Sequence, residues 1–318
     1  MTEVRISVVV PTLDTKELTL ECVDAVLESR LPEGAGLEVV VVDDGGRDGT
    51  AEALEGRSRV RVLRNTSPTG FSKAVNRGVR ETRGDILVIL NSDAVIERTS
   101  LAHVLDAFAA DPSLGIAGAA LSYPDGTAQW SAGPTPGLAW LFGQSSGLPA
   151  LLGRIPGWRV VRPLHGARPR DVAWVSGASM AVRVRLWDEA GPFDEGYDFY
   201  VQDLDLCLRA RARGWRVRLL PAFRVVHHRG ATIAASGGSV AGNADLGLLW
   251  ADLVRWAETR GGASSGRRAR WTLLAGSALR LLARRLATPF VAADRREAWR
   301  SETTTVVRAR ARLRARTA

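Results

Sequence analysis

Carboxylates stand at three places where an apolar run stops. Thr12 and Asp14 follow the run at residues 6–10 and its terminating Pro11, Asp43 and Asp44 follow residues 37–42, and Asn91 and Asp93 follow residues 86–90. A carboxylate at such a point accepts hydrogen bonds from a base N–H or from ribose hydroxyls. The glycines of DDGGRDGT let a ligand approach the backbone closely. Hard divalent cations want oxygen ligands, and magnesium uses one or two carboxylates together with substrate phosphates, a demand that Asp93 with Asn91 beside it meets. Asp203, within YVQDLDLCL, suits a general base that takes a proton from a hydroxyl, and equally a helix N-cap. His227 and His228 close the run at residues 223–226, just before RGAT. A histidine pair at a strand end suits a metal or phosphate contact. Each feature alone also reads as a turn former or a cap, because Asp, Asn and Gly favour turns for their own reasons.

These residues need elements to hold them. The runs at 6–10, 37–42 and 86–90 are almost wholly apolar and β-branched, which suits parallel strands buried on both faces. Helical spacing appears at residues 18–27 and at Phe71, Ala74, Val75, Gly78 and Val79, with Gly84 as a stop. Alternation of strand and helix predicts an α/β fold with a mostly parallel central sheet and right-handed crossovers. Such sheets bind ligands outside the carboxyl ends of their strands, where the three acidic turns fall. Residues 122–169 are rich in Gly, Pro and Trp and read as long loops with short strands near a binding face. Regular structure resumes at Val172, residues 204–212 read as a helix, and Asp205 reads as structural, paired with a nearby arginine. Residues 236–238 and 261–266 read as boundaries. The resulting division is a first half of one domain at 1–118, a second half of the same domain at 119–238, and a basic helical region at 239–318.

Composition narrows the function classes. At 318 residues and 46% hydrophobic, the chain can bury a large core. The two cysteines, Cys22 and Cys207, sit in apolar helical patterns without CxxC, which disfavours zinc and disulfides and fits a reducing, cytoplasmic compartment. No signal-peptide pattern opens the sequence, and no stretch of eighteen uncharged apolar residues predicts a membrane span. From Arg267 to the end, 14 Arg face 3 acids, a local net of +11 against +9 for the whole chain, so the rest nets −2. A near-neutral core disfavours a nucleic-acid groove. The tail intersperses its arginines with Trp271, Leu273, Leu274, Leu281, Leu282, Phe290 and Trp299, which suits peripheral attachment to an anionic membrane surface or packing on the core or in a homo-oligomer interface. Leu274, Ala278, Leu281 and Leu282 read as one helix face interrupted by Arg285, and the final RARARLRAR shows no helical face.

Taken in order, SVVVPTLD, VVVVDDGGRDGT, NTSPTGFSKAVNRGV, GDILVILNSDAVI, the segment from VSGASM to RARARGW, and VVHHRGAT resemble the inverting family 2 glycosyltransferases of GT-A fold, especially their bacterial rhamnosyltransferase-like branch. The likeness spans about residues 6–232. It implies that Pro11, Thr12 and Asp14 line the nucleotide pocket, that Asp43 and Asp44 contact base or ribose, and that Gly70, Lys73 and Asn76 lie along the diphosphate. It implies Asp93 as ligand of Mg2+ or Mn2+, with Asn91 as companion and His227 as a further metal or diphosphate contact. Trp174, Gly177 and Gln202 would border the acceptor, and Asp203 would be the base. The implied partners are a nucleotide-diphosphate sugar, rhamnose being one candidate, and a glycan or lipid-linked acceptor, in cell-surface polysaccharide or glycoconjugate synthesis. Two departures stand out: Gln202 replaces the usual Glu before the base, and Asn91 replaces the first acid of the DXD-like motif.

Three other functions fit less well. A sugar nucleotidyltransferase needs a Gly-rich basic loop after the first strand, where PTLD is acidic and lacks glycine. A non-catalytic nucleotide-sugar-binding protein draws support from Gln202. A dinucleotide oxidoreductase lacks its GxGxxG.

Overall fold

The computed structural model describes residues 5–148, 168–228 and 245–315. Strands β1 (Arg5–Thr12), β2 (Gly36–Asp43) and β4 (Ile86–Leu90) form where the three apolar runs predict them, and β3 (Val60–Arg64) joins them at the edge. Their order is β3-β2-β1-β4, all parallel. Beyond β4 lie β10 (Ser179–Arg183), β6 (Leu114–Ser122), β11 (Arg216–His227) and β5 (Ala94–Ile96). On that path β10 and β5 run against the rest, so the sheet is mostly parallel with antiparallel insertions.

Side chains alternate across the sheet. Val8, Val10, Val39, Val41, Val88 and Leu90 pack on one face with Cys22, Val23 and Val26 of helix α1 (Lys16–Leu27). Val9, Val40 and Val42 pack on the other with Ala74 of α3 (Phe71–Arg80). Covering both faces explains why these strands read as continuous apolar runs. Each such side chain contributes roughly 1.5–3 kcal/mol on burial.

The described chain divides into two compact units. One comprises residues 5–133, 168–196 and 202–228; the other comprises 134–148, 197–201 and 245–315. The second is helical. Its α5 (Leu138–Ser146) lies in the segment read as loop, and α8 (Leu246–Ala287) and α9 (Arg296–Ala315) follow. Asp245 caps α8 by accepting from the N–H groups of Gly247 and Leu248. Within this unit buried Asp252 accepts from the N–H groups of Asp198, Phe199 and Tyr200 at 3.0, 3.1 and 2.9 Å.

The boundary read at 261–266 coincides with a break in α8, where Gly261 at φ −130° and Gly262 at φ 71° leave helical geometry. Two expectations need correction. RARARLRAR belongs to α9, whose inner face is Val306, Ala309 and Leu313, a spacing that the local Arg alternation hides. The face read as Leu274, Ala278, Leu281 and Leu282 is divided, with Leu274 buried, Leu281 half-buried, and Ala278 and Leu282 exposed. The boundary read at 236–238 and much of the 122–169 segment lie outside the described residues.

Candidate active site

The turn after β4 and the end of β11 meet because β5 pairs antiparallel with β11, setting His227 opposite Ala94. The His227 Nε2 atom then lies 3.2 Å from Asp93 Oδ1 and 3.3 Å from Asn91 Nδ2. Both Asp93 and His227 are buried. Gln129 determines which way the imidazole works. Its Nε2 donates to the carbonyls of His227 and Ser122, so its Oε1 must accept, and it does so from His227 Nδ1 at 2.9 Å. The Nε2 lone pair is thereby turned towards Asp93. Two electron-rich atoms at that separation call for a proton or a cation between them.

The donor set fits a hard or borderline divalent ion. Asp93 supplies carboxylate oxygen and His227 supplies imidazole nitrogen. The buried amide oxygen of Asn91 has no hydrogen-bond partner among the described residues, and turning the amide over presents that oxygen to His227. Among the described residues no three His, Cys, Asp or Glu side chains cluster as a complete cage. Such a partial set suits an ion whose remaining ligands are phosphate oxygens and water.

The Asp203 carboxylate belongs to the same neighbourhood. Helix α7 (Gln202–Ala212) begins just before it, and it accepts from Gly177 N–H at 2.6 Å and Leu204 N–H at 2.7 Å. The residue after Gly177, Ala178, accepts from the N–H of Asn91 at 2.9 Å, so one short segment joins the Asp203 carboxylate to the Asn91 turn. A methyl group on Gly177 would stand 3.1 Å from Asp203 Cβ, so a larger residue here would press against the Asp203 side chain. Asp203 is half-buried by area, and enclosure of its carboxyl by protein raises its pKa, against the lowering effect of the N–H donors.

The carboxylates expected on the nucleotide side fall into two kinds. Asp44 is filled by its own loop: it accepts from Asn65 Nδ2, Thr69 N and Oγ1, and Gly70 N at 2.5–3.0 Å. It therefore organises the loop that leads into α3. Asp43 accepts from Gly46 N at 2.8 Å, and Asp14 from the adjoining Arg47 N at 2.7 Å, which brings these two carboxylates to one turn. Burial raises the pKa of Asp43. Gly45, at φ 83°, faces Ser67 so closely that a Cβ would lie 2.6 Å from its carbonyl carbon.

Other expected residues take different places. Pro11 is buried at the end of β1, and Thr12 bonds Thr15 and Thr19 in a buried hydroxyl network that reaches Ser92. Lys73 is exposed on α3. Asn76, expected along the diphosphate, is buried; it donates to Phe193 O and Glu195 Oε1 and accepts from Phe193 N, which makes it a clamp on that loop. Trp174, expected at the acceptor, is buried with its ring edge-on to Trp130, 5.2 Å between centroids. Gln202 is also buried. Asp205 pairs with Arg209 at 2.7 Å, as its sequence setting predicts.

The model of glycosyl transferase family 2 matches residues 7–162. An N-acetylglucosaminyl-diphospho-decaprenol L-rhamnosyltransferase of Mycobacterium tuberculosis is 31% identical over 211 residues, 61% of this chain and 67% of that protein. The chain belongs to glycosyltransferase family 2. An O-antigen biosynthesis protein of Myxococcus xanthus is 28% identical over 81% of this chain, which spans 20% of that much longer protein. The fold of the transferase resembles that of a mannosyltransferase from Pyrobaculum calidifontis solved with GDP-Man and Mn2+, at a TM-score of 0.59 and 18% identity, over 98% of this chain and 86% of that one. The fold is GT-A, with a C-terminal helical region.

Sequence reasoning missed Gln129 in this transferase. It lies in the segment read as loops, and its partner is 98 residues away along the chain. No local signal marks it, since a glutamine in a polar loop is ordinarily solvated.

Proposed function

We propose that the chain transfers a sugar, with inversion at the anomeric carbon, from a nucleoside-diphosphate donor to an acceptor hydroxyl. The observation that carries this reading is the shared segment at 177–178. It holds a carboxylate of raised pKa on one side and the Asn91, Asp93 and His227 group on the other.

Asp203 takes the proton from the acceptor hydroxyl as that oxygen bonds to the anomeric carbon and the bond to the diphosphate oxygen breaks. The attack comes from the face opposite the leaving group, so no sugar–enzyme bond forms. Gly177 N–H and Leu204 N–H fix both carboxylate oxygens, which orients the base before the acceptor arrives. Asp93 and His227, with Asn91, would hold Mg2+ or Mn2+, whose charge stabilises the departing diphosphate. Gln129 keeps the proton on Nδ1 and leaves Nε2 available. Asp14 and Asp43 take the base or ribose, and the loop set by Asp44 forms the wall towards α3.

The sugar we propose is rhamnose, carried on thymidine diphosphate, and the acceptor a lipid-linked glycan. Both follow from likeness to the mycobacterial rhamnosyltransferase, whose name specifies a diphospho-decaprenol acceptor. The buried free thiols Cys22 and Cys207 accord with a reducing, cytoplasmic setting. A panel of nucleotide sugars scored by thermal shift with Mn2+, followed by NMR of the transferred anomeric centre, tests the reading. Stabilisation by one donor and an inverted product are expected; retention of configuration refutes the mechanism.

A further inference from the structure

We infer that the outer face of α8 beyond its kink, continued into the turn at Phe290, is a docking surface for an anionic lipid bilayer. Scattered exposed apolar side chains are ordinary on protein surfaces. Here they are not scattered. Of the seven large ones that the described residues expose, five lie between Trp271 and Phe290: Trp271, Leu279, Leu282, Leu286 and Phe290. Phe290 is 88% exposed and Trp271 68%. Their spacing of three, four and eight residues follows one face of a helix. The opposite face is already used. Ala269, Leu273, Gly276 and Ser277 are buried, with Gly276 against Ser145 of α5 and Ser277 bonded by Arg310 of α9. The outer stripe is therefore what remains after the helix has packed.

Charge identifies the occupant. Arg267 and Arg285 are exposed and stand five turns apart, on the same flank of the stripe. Neither they nor Arg270 has a carboxylate partner among the described residues, whereas Arg280 and Arg284 pair inward with Glu302. A cleft of about 740 Å³ opens beside the stripe, sharing Trp271 with it and lined by Arg267, Arg270 and Arg310 against a single acid, Glu258. Apolar side chains edged by unpaired guanidiniums match acyl chains edged by phosphates. A second copy of the same face would set like charges against each other, and nucleic acid would leave the leucines in water. No helix among the described residues is long and apolar enough to cross a membrane, so the contact lies in the plane of the headgroups. This inference stands apart from the identity of the sugar and of the base.

The test is flotation of the full-length protein with vesicles of phosphatidylcholine alone or mixed with phosphatidylglycerol. Wild type should float with the mixed vesicles, stay behind with the neutral ones, and detach as salt rises. Leu282→Asp with Leu286→Asp should weaken vesicle binding by about tenfold or more. Arg267→Glu with Arg285→Glu should do the same at low salt, and Val307→Asp, exposed on α9, should change nothing. Circular dichroism and donor binding check that each variant is folded. Wild type that stays behind with phosphatidylglycerol overturns the inference, as do folded variants that float normally. A wild-type dimer that the Leu pair converts to monomer, with no vesicle binding by either, makes the stripe an interface between copies and equally overturns it.

Discussion

In the sheet unit the described residues expose no large apolar side chain, and the working polar groups are drawn inside, with Asp43, Asp93 and His227 buried and the Thr12 network sealed behind them. In the helical unit the arrangement is reversed: all seven exposed large apolar side chains of the described residues are there, and Arg267 and Arg285 are exposed beside them. The contrast separates two jobs. Buried polar groups are held by several partners each and so have one geometry, which bond-making requires. Exposed ones have little fixed geometry and act through charge and area, which surface recognition requires. Chemistry should therefore respond steeply to single atoms in the sheet unit and weakly to whole side chains in the helical one.

The steepest response is expected at Asp203. Asp203→Asn keeps the shape and removes the basicity, and steady-state transfer should fall about a hundredfold or more with donor affinity retained. The raised pKa adds a pH signature. The folded state binds a proton at Asp203 at higher pH than the unfolded chain, whose reference value is 3.8. The stability this contributes is present below the unfolded value and is lost as pH rises through the folded one. The melting temperature of wild type minus that of the variant should thus increase as pH falls through that window. A flat difference would remove the enclosed-carboxyl reading.

A smaller effect is expected one step back, at Gln129. Gln129→Leu keeps the volume but frees the imidazole to turn, so Mn2+ affinity in the presence of nucleoside diphosphate should drop about 10–100-fold. Metal-free nucleotide binding should stay as it was. Unchanged Mn2+ affinity would mean that the His227 orientation does not matter. The smallest effect belongs to the helical unit. Leu286→Asp, on the outer stripe, should shift denaturant stability by no more than about 0.5 kcal/mol and leave donor binding unaltered. A large loss in either would show that the two units are not separable in the way their surfaces indicate.

What the sequence made legible follows the same division. β1, β2 and β4 were readable because strands buried on both faces leave uninterrupted apolar runs, and Asn91, Asp93 and His227 were readable because they end strands. The partners of those residues were not. Nothing local distinguishes Asp43, which keeps acceptor capacity, from Asp44, whose oxygens are filled by Asn65, Thr69 and Gly70. Nothing marks Asn76 as a clamp on Phe193, 117 residues away. α9 was hidden because its buried positions are filled by the modest side chains of Val306, Ala309 and Leu313, and the arginines between them dominate the pattern. Polar side chains report their chemistry in sequence and their partners only in the fold.

The central claim is that Asp93 and His227 hold a divalent ion that binds the donor's diphosphate. It is tested most directly by calorimetric titration of dTDP, UDP and GDP into wild type and Asp93→Ala, each with and without Mn2+. Wild type should bind one of the three markedly more tightly with Mn2+ than without it, and Asp93→Ala should bind that nucleotide equally weakly in both conditions. Equal affinity in all four combinations of protein and metal, for every nucleotide, would contradict the account.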